Sequence, residues 1–184
     1  HIAFNNTRAI VFWTKNPEPM FKHLDELDRM GIGYYFHCTL TDYDHEGLEP
    51  NLSPLEDRID VFKELSTKIG KEKVIWRFDP LVLADSIDRD RLIQKVDRLM
   101  ERLTGYTEKL VFSFLDPTCR KKAERKLLKA GIDAKPFSAE DMGYVAFHIA
   151  NIAEARGIQV TACAEAMDLF TFGVCKNQCI GDEY

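Results

Sequence analysis

Arg77 and Asp79 stand two residues apart in Val74-Ile75-Trp76-Arg77-Phe78-Asp79, an apolar run with the look of a strand. On an extended chain such residues project to the same face, so a guanidinium and a carboxylate emerge together. The pair suits recognition of a phosphate or carboxylate, the arginine offering planar donors and the aspartate orienting it. A structural ion pair accounts for the same two residues equally well. Four other apolar runs finish similarly, in Trp13-Thr14-Lys15-Asn16, Thr39-Leu40-Thr41, Ser113-Phe114-Leu115-Asp116 and Cys163-Ala164-Glu165. Lys15 and Asn16 lie in a turn held by Pro17, a position that favours ligand contact. Thr39, Thr41 and Ser113 offer hydroxyls to a polar substrate, although β-branched threonine is also simply a good strand residue. Glu165 is costly to desolvate without a partner, and Arg77 or Lys15 is the expected counterion. It fits a base, a metal ligand or a hydroxyl acceptor alike. Asp79 and Glu165 are thus the candidate catalytic groups, and Lys15, Asn16, Thr39, Thr41, Arg77 and Ser113 the candidate substrate or cofactor contacts. Asp116, followed by Pro117, is better explained as a cap for backbone donors.

Metal chemistry has thinner support. Cys175 and Cys179 form a Cys-x3-Cys pair, and Asp182 stands where a third thiol would complete the cluster spacing of radical S-adenosylmethionine enzymes. Cys163 reads as an inert core thiol, with no histidine near it in sequence to activate it. His23 and His148 fall on helices, which leaves His37 and His45 as the histidines able to reach the strand ends. No zinc spacing and no glycine-rich phosphate fingerprint occurs. Arg120, Lys121, Lys122, Arg125, Lys126 and Lys129 make residues 119–130 basic. A solvated helix explains them better than a nucleic-acid site, because no aromatic stacking residues are interleaved.

The elements that position these groups alternate. Strands are expected at 9–16, 34–41, 74–78, 110–115 and 158–165. Between them, helical spacing runs through Met20, Leu24, Leu27 and Met30, then from Ser53-Pro54-Leu55-Glu56, which reads as a capping box, through Leu55, Ile59, Phe62, Leu65 and Ile69. A further helix starts near Asp85 or Ser86 and carries Leu92, Val96, Leu99 and Leu103, a short basic one covers about 119–130, and Ser138 caps the last. Strand starts lie more than about 20 residues apart with helices between, which argues for right-handed crossovers and a parallel sheet. Polar residues on one strand face and bulky apolar ones on the other fit a barrel interior better than a sheet covered on both sides. The fold class is therefore α/β: a partial (βα) TIM-like barrel with at least five βα units, in which sites gather at the carboxyl ends of the strands.

The 184 residues, 45% apolar and 30% charged, suit one domain spanning 1–184. A net charge of −5 argues mildly against a general nucleic-acid binder. No run is long enough for a membrane span and no signal pattern opens the chain, so the expected location is the cytoplasm. The odd count of 5 cysteines points to reduced thiols. The chain opens on His1 and closes on Gly181-Asp182-Glu183-Tyr184 without an evident stop, which leads us to expect further sequence at one or both ends.

Several motifs together resemble a known family: Val11-Phe12-Trp13-Thr14-Lys15-Asn16-Pro17, Thr39-Leu40-Thr41 with Glu49-Pro50, Trp76-Arg77-Phe78-Asp79-Pro80, Ser113-Phe114, and Cys175 through Ile180. This combination is similar to the bacterial domain of unknown function 1848 family over nearly the whole chain. The resemblance implies a radical S-adenosylmethionine type of enzyme, or a relative of it, on a partial barrel. It also implies a [4Fe–4S] cluster and bound S-adenosylmethionine, held by a cysteine cluster that this chain lacks, with Lys15, Asn16, Arg77, Asp79 and Glu165 around cofactor or substrate. The substrate, small or macromolecular, does not follow from it. Two other readings remain open: a metal-assisted hydrolase or isomerase using Glu165, Asp79 and His37 or His45, and a non-catalytic nucleic-acid or protein-binding module using the basic helix.

Overall fold

The computed structural model describes Thr7 and residues 9–115, 127–128, 131–163 and 167–177. In chain order the elements are β1 (Ala9–Thr14), α1 (Leu24–Arg29), β2 (Gly33–Thr39), α2 (Leu55–Ile69), β3 (Val74–Leu81), β4 (Leu83–Ala84), α3 (Arg89–Leu103), β5 (Lys109–Phe114), β6 (Ala134–Lys135), α4 (Ala139–Glu154), β7 (Gln159–Ala162) and β8 (Cys175–Lys176). Six strands form one sheet in the order β1-β2-β3-β5-β7-β8, and every neighbouring pair is parallel. The short β4 and β6 pair antiparallel in a separate two-stranded sheet.

Alternation along the strands explains why the helices collect on one side. Phe36, Cys38, Trp76, Phe78, Leu110, Phe112, Val160 and Ala162 share a single buried cluster with Ile59, Phe62 and Leu65 of α2, Leu92, Val96 and Leu99 of α3, and Val145 and Ile149 of α4. Each of the buried Val, Leu, Ile and Phe side chains contributes about 1.5–3 kcal/mol on burial. The intervening residues Tyr35, Ile75 and Val111 form a second, small cluster of their own on the other face. A doubly wound sheet reverses its strand order and takes helices on both faces. Here the order follows the chain and the helical core lies against one face. The sheet is open, with β1 and β8 at its two edges, and no pairing closes it into a barrel among the described residues.

Several local expectations are corrected. β8 is absent from the sequence expectation, since two residues carry no periodic signal. Met30 is 50% exposed, so α1 turns only Leu24 and Leu27 fully inward. α3 begins at Arg89, later than expected, because Asp88 is the residue whose side chain accepts the Arg91 amide, at 2.8 Å. Ser138 does cap α4, in a capping box with Asp141. Ser53 caps nothing: the N-cap of α2 is Pro54, and the Leu55 amide donates to Asp44 Oδ2 at 3.1 Å.

The carboxylate that replaces Ser53 comes from the long segment between β2 and α2, which charged side chains of two helices pin down. Arg58 of α2 is buried; it donates to Ser53 O at 2.9 Å and Thr41 O at 3.0 Å and pairs with Asp44. Lys95 of α3, 1% exposed, donates to Asp42 O at 2.7 Å and lies 3.0 Å from Glu46 Oε1. Arg98 reaches Asp42 Oδ2 at 2.9 Å. A lysine so deeply buried is tolerable only with such partners. No helix among the described residues is long and apolar enough to cross a membrane.

Asp44→Ala removes an acceptor at the start of α2 and the carboxylate of a buried arginine, and is expected to cost about 2 kcal/mol. Ser53→Ala should cost a few tenths; urea unfolding of both variants distinguishes the two caps. Burial raises the Cys38 thiol to about 12, and burial with an Asp28 hydrogen bond raises the Tyr34 phenol to about 12. The folded chain therefore keeps protons that an unfolded chain releases from about pH 8.5 to 10 upward. Stability should be full below that range and fall as pH rises toward 12, since the unfolded state then binds fewer protons. Urea titrations from about pH 8 to 11 check this, and a flat profile would contradict it.

Candidate functional site

Sheet register assembles the polar residues into rows on the face turned away from the helices. Trp13 lies opposite His37, Thr39 opposite Arg77, Arg77 opposite Val111, Val111 opposite Thr161, and Thr161 opposite Cys175. Lateral neighbours share a face. Two residues further toward the carboxyl ends come Asp79, Ser113 and Cys163. Cys163 packs on the Tyr35, Ile75 and Val111 cluster, and its amide donates to Phe112 O at 2.8 Å.

Arg77, 6% exposed, is the hub. Its Nε donates to Asp79 Oδ2 at 3.2 Å, and a terminal nitrogen donates to the same oxygen. Ser113 Oγ donates to the other oxygen, Oδ1. A second terminal nitrogen lies 3.5 Å from His37 Nδ1, and the guanidinium also meets the Cys163 side chain. Burial alone would weaken the charged form of Arg77. The contacts with Asp79 and Cys163 outweigh it and raise its pKa above the ordinary arginine value, so the site holds a permanent cation. His37 is buried under Trp13, the rings stacked at 5.0 Å and 2° apart, while Trp13 remains 49% exposed.

A second group lines the rim. Glu49, from the β2–α2 segment, pairs with Lys15 and accepts the Thr41 hydroxyl at 2.6 Å. Burial pulls the Lys15 ammonium below the usual lysine range, and Arg58 adds to this while Asp79 opposes it. The Glu49 contact also favours the charged form. Tyr43, from the same segment, is buried; its hydroxyl donates to Pro80 O at 3.0 Å and accepts from Val82 N at 3.0 Å. The Asp79–Pro80 peptide, which precedes both partners, is cis.

Of the expected residues, Arg77, Asp79 and Ser113 come together in one hydrogen-bonded unit, with Thr39 beside Arg77 in the register. Lys15 and Thr41 meet at Glu49. Asn16 serves its own turn: its amide donates to Thr14 Oγ1 and its Oδ1 accepts from Glu18 N, both at 3.0 Å. Glu165, Asp116, Cys119 and Cys179 lie outside the described residues, as does most of the basic segment 119–130. The counterions expected for Glu165 already have carboxylates, Asp79 for Arg77 and Glu49 for Lys15. Cys175 is exposed on β8, its register partner being Thr161. His45 is exposed and lies beside Arg91, Gln94 and Arg98 on α3 rather than in the row. Among the described residues no three His, Cys, Asp or Glu side chains converge to hold a metal ion.

Sequence reasoning passed over Trp13, Glu49 and Cys163 as parts of the site. Trp13 sits among the apolar residues of β1, and only register brings it over His37. Glu49 entered through motif similarity alone. Cys163 looked inert for want of a histidine nearby in sequence; its neighbour in space is Arg77, and a guanidinium beside a thiol favours the thiolate.

Over residues 1–184 the chain matches, and belongs to, the family described as Domain of unknown function (DUF1848). No curated protein matches it.

Asp79→Asn leaves Arg77 buried without its counter-charge and is expected to destabilise by about 2–4 kcal/mol, less than a fully dry pair because the Asp79 side chain is 23% exposed. The double variant Arg77→Met, Asp79→Leu should recover much of that loss. A double-mutant cycle built from Arg77→Met and Asp79→Leu, singly and together, measures the coupling by chemical denaturation, and additive losses would show that the two side chains act independently.

Proposed function

We propose that this chain is the strand-built body of an enzyme of the radical S-adenosylmethionine type, or a relative of it, on a partial (βα) barrel. Its working face is the one turned away from the helices, at the carboxyl ends of the strands. The observation that carries the reading is the Arg77–Asp79–Ser113 unit, with His37 and Cys163 against the guanidinium. Sequential parallel strands with the helical core on one face are what a partial barrel requires, and in such folds sites form at the carboxyl ends of the strands. Unbridged thiols at Cys38 and Cys175 suit a reducing cytoplasm.

A [4Fe–4S] cluster needs three or four thiolates. The described residues do not supply such a set: Cys175 stands alone on β8, and Cys163 faces a guanidinium, which disfavours a bound cation. The implied cluster and S-adenosylmethionine therefore do not fit these residues by themselves. What the side chains can do is narrower. Arg77 keeps a fixed positive charge that attracts an oxyanion. Asp79 stays exposed enough to accept a substrate hydroxyl, with Arg77 and Ser113 fixing its direction. Lys15 and Glu49 frame the entrance with one charge of each sign.

The metal-assisted alternative gains nothing from the geometry, because Arg77 lies between His37 and Asp79. Anaerobic purification of the full-length protein, with iron, sulfide and reductive S-adenosylmethionine cleavage measured, tests the proposal. Stoichiometric iron and sulfide with formation of 5′-deoxyadenosine are expected. Asp79→Asn should lower turnover at least about 100-fold with cluster content unchanged. Protein with intact termini and no iron would sink the reading.

A further inference from the structure

The segment between β2 and α2 touches the site twice, and only one of the contacts is at the surface. Glu49 closes the rim against Lys15 and Thr41. Tyr43 works from beneath. It is 2% exposed, its ring meets Phe78 edge-on at 5.5 Å, and its hydroxyl is engaged on both sides, by Pro80 of β3 and by Val82 just past the strand's end. The two backbone groups it satisfies, Pro80 O and Val82 N, lie one and three residues after Asp79. There the register of β3 with β5 shifts between Phe78 and Leu81, so regular sheet bonding does not hold this stretch. A buried carbonyl and amide at such a break need another partner.

We infer that Tyr43 is a positioning residue: its doubly bonded hydroxyl fixes the backbone after Asp79 and so aims that carboxylate at Arg77 and Ser113. The inference rests on the reading of Arg77, Asp79 and Ser113 as the working site. Burial, the largest influence on Tyr43, holds its pKa well above the ordinary tyrosine value, with Glu46, Asp42 and Asp79 adding to it, so the hydroxyl keeps the proton it donates to Pro80. The segment is itself anchored by Lys95 through Asp42 and Glu46, and by Arg58 through Thr41 and Asp44. Helices α2 and α3 thus govern, through one phenol, where a carboxylate on the opposite side of the sheet points.

Cys163 supplies a reporter, because it shares the Arg77 guanidinium with Asp79. When the carboxylate turns away, Arg77 is left to the thiol, more thiolate forms, and alkylation speeds up. Rates with iodoacetamide at about pH 8, read peptide by peptide, are compared for wild type, Tyr43→Phe, Asp79→Asn and Thr107→Val. Thr107 is a matched control: its hydroxyl is also buried against β3, donating to Val74 O at 2.6 Å, but at the far end of the strand. Buried Cys38 labels only when the fold opens.

Tyr43→Phe and Asp79→Asn should each accelerate Cys163 labelling severalfold, with Thr107→Val at the wild-type rate and Cys38 silent. Labelling of Cys163 at the wild-type rate in Tyr43→Phe overturns the inference. So does labelling of Cys38 in step with Cys163, since the hydroxyl would then hold the fold at large. The crystal structure of Tyr43→Phe decides independently: an Asp79 carboxylate that has left Arg77 or Ser113 supports positioning, and one that keeps both contacts refutes it. Neither readout uses turnover, so failure here is distinct from failure of the proposed activity.

Discussion

A guanidinium withdrawn from water is the constraint around which the polar face is organised. A cation at the position of Arg77 is tolerable only if the fold surrounds it with acceptors. The chain does so from separate elements: β3 itself brings Asp79, β2 brings His37, and Cys163 comes just beyond β7. Ser113 of β5 then occupies the Asp79 oxygen that Arg77 leaves. The contacts of His37, Ser113 and Cys163 each require correct register between neighbouring strands, and a one-residue slip of any of those strands would turn its residue toward the helical core. The polar residues therefore specify the sheet as much as the sheet presents them.

The opposite face carries the complementary part of the design. Its aromatic and aliphatic side chains meet three amphipathic helices in one continuous core, which supplies the stability that a polar interior does not. Between the faces runs the β2–α2 segment, tied to helices by Arg58, Lys95 and Arg98 and to the strand ends by Tyr43 and Glu49. It is a loop by backbone, yet its Thr41, Asp42 and Tyr43 are as buried as strand residues. Buried backbone outside regular structure survives there because arginine and lysine side chains take up its carbonyls.

Period-two patterning made much of this architecture legible. The parity that puts Arg77 with Asp79 and Phe36 with Cys38 on opposite faces follows from strand geometry alone, and the structure keeps it. The order of elements was legible too, because glycine and proline punctuate long apolar periods. What could not be read is what depends on distance through space. Nothing near Ser53 in sequence says that Asp44 will take its place at the helix start. Nothing near Lys15 says that its partner is Glu49, 34 positions on. Asn16 illustrates the converse error: a polar residue in a proline-held turn looks poised for a ligand while its side chain is already engaged by the backbone two residues away.

The succession β1-β2-β3-β5-β7-β8 across the sheet has a bearing on how the molecule comes into being. Every strand joins an edge already laid down by the strand synthesised before it, apart from the small β4 and β6 detour. Assembly can thus keep pace with translation from the amino end, each crossover helix covering its new strand before the next emerges. A reversed winding order would instead leave an early edge waiting, uncovered, for a late arrival, with the attendant risk of pairing with a stranger.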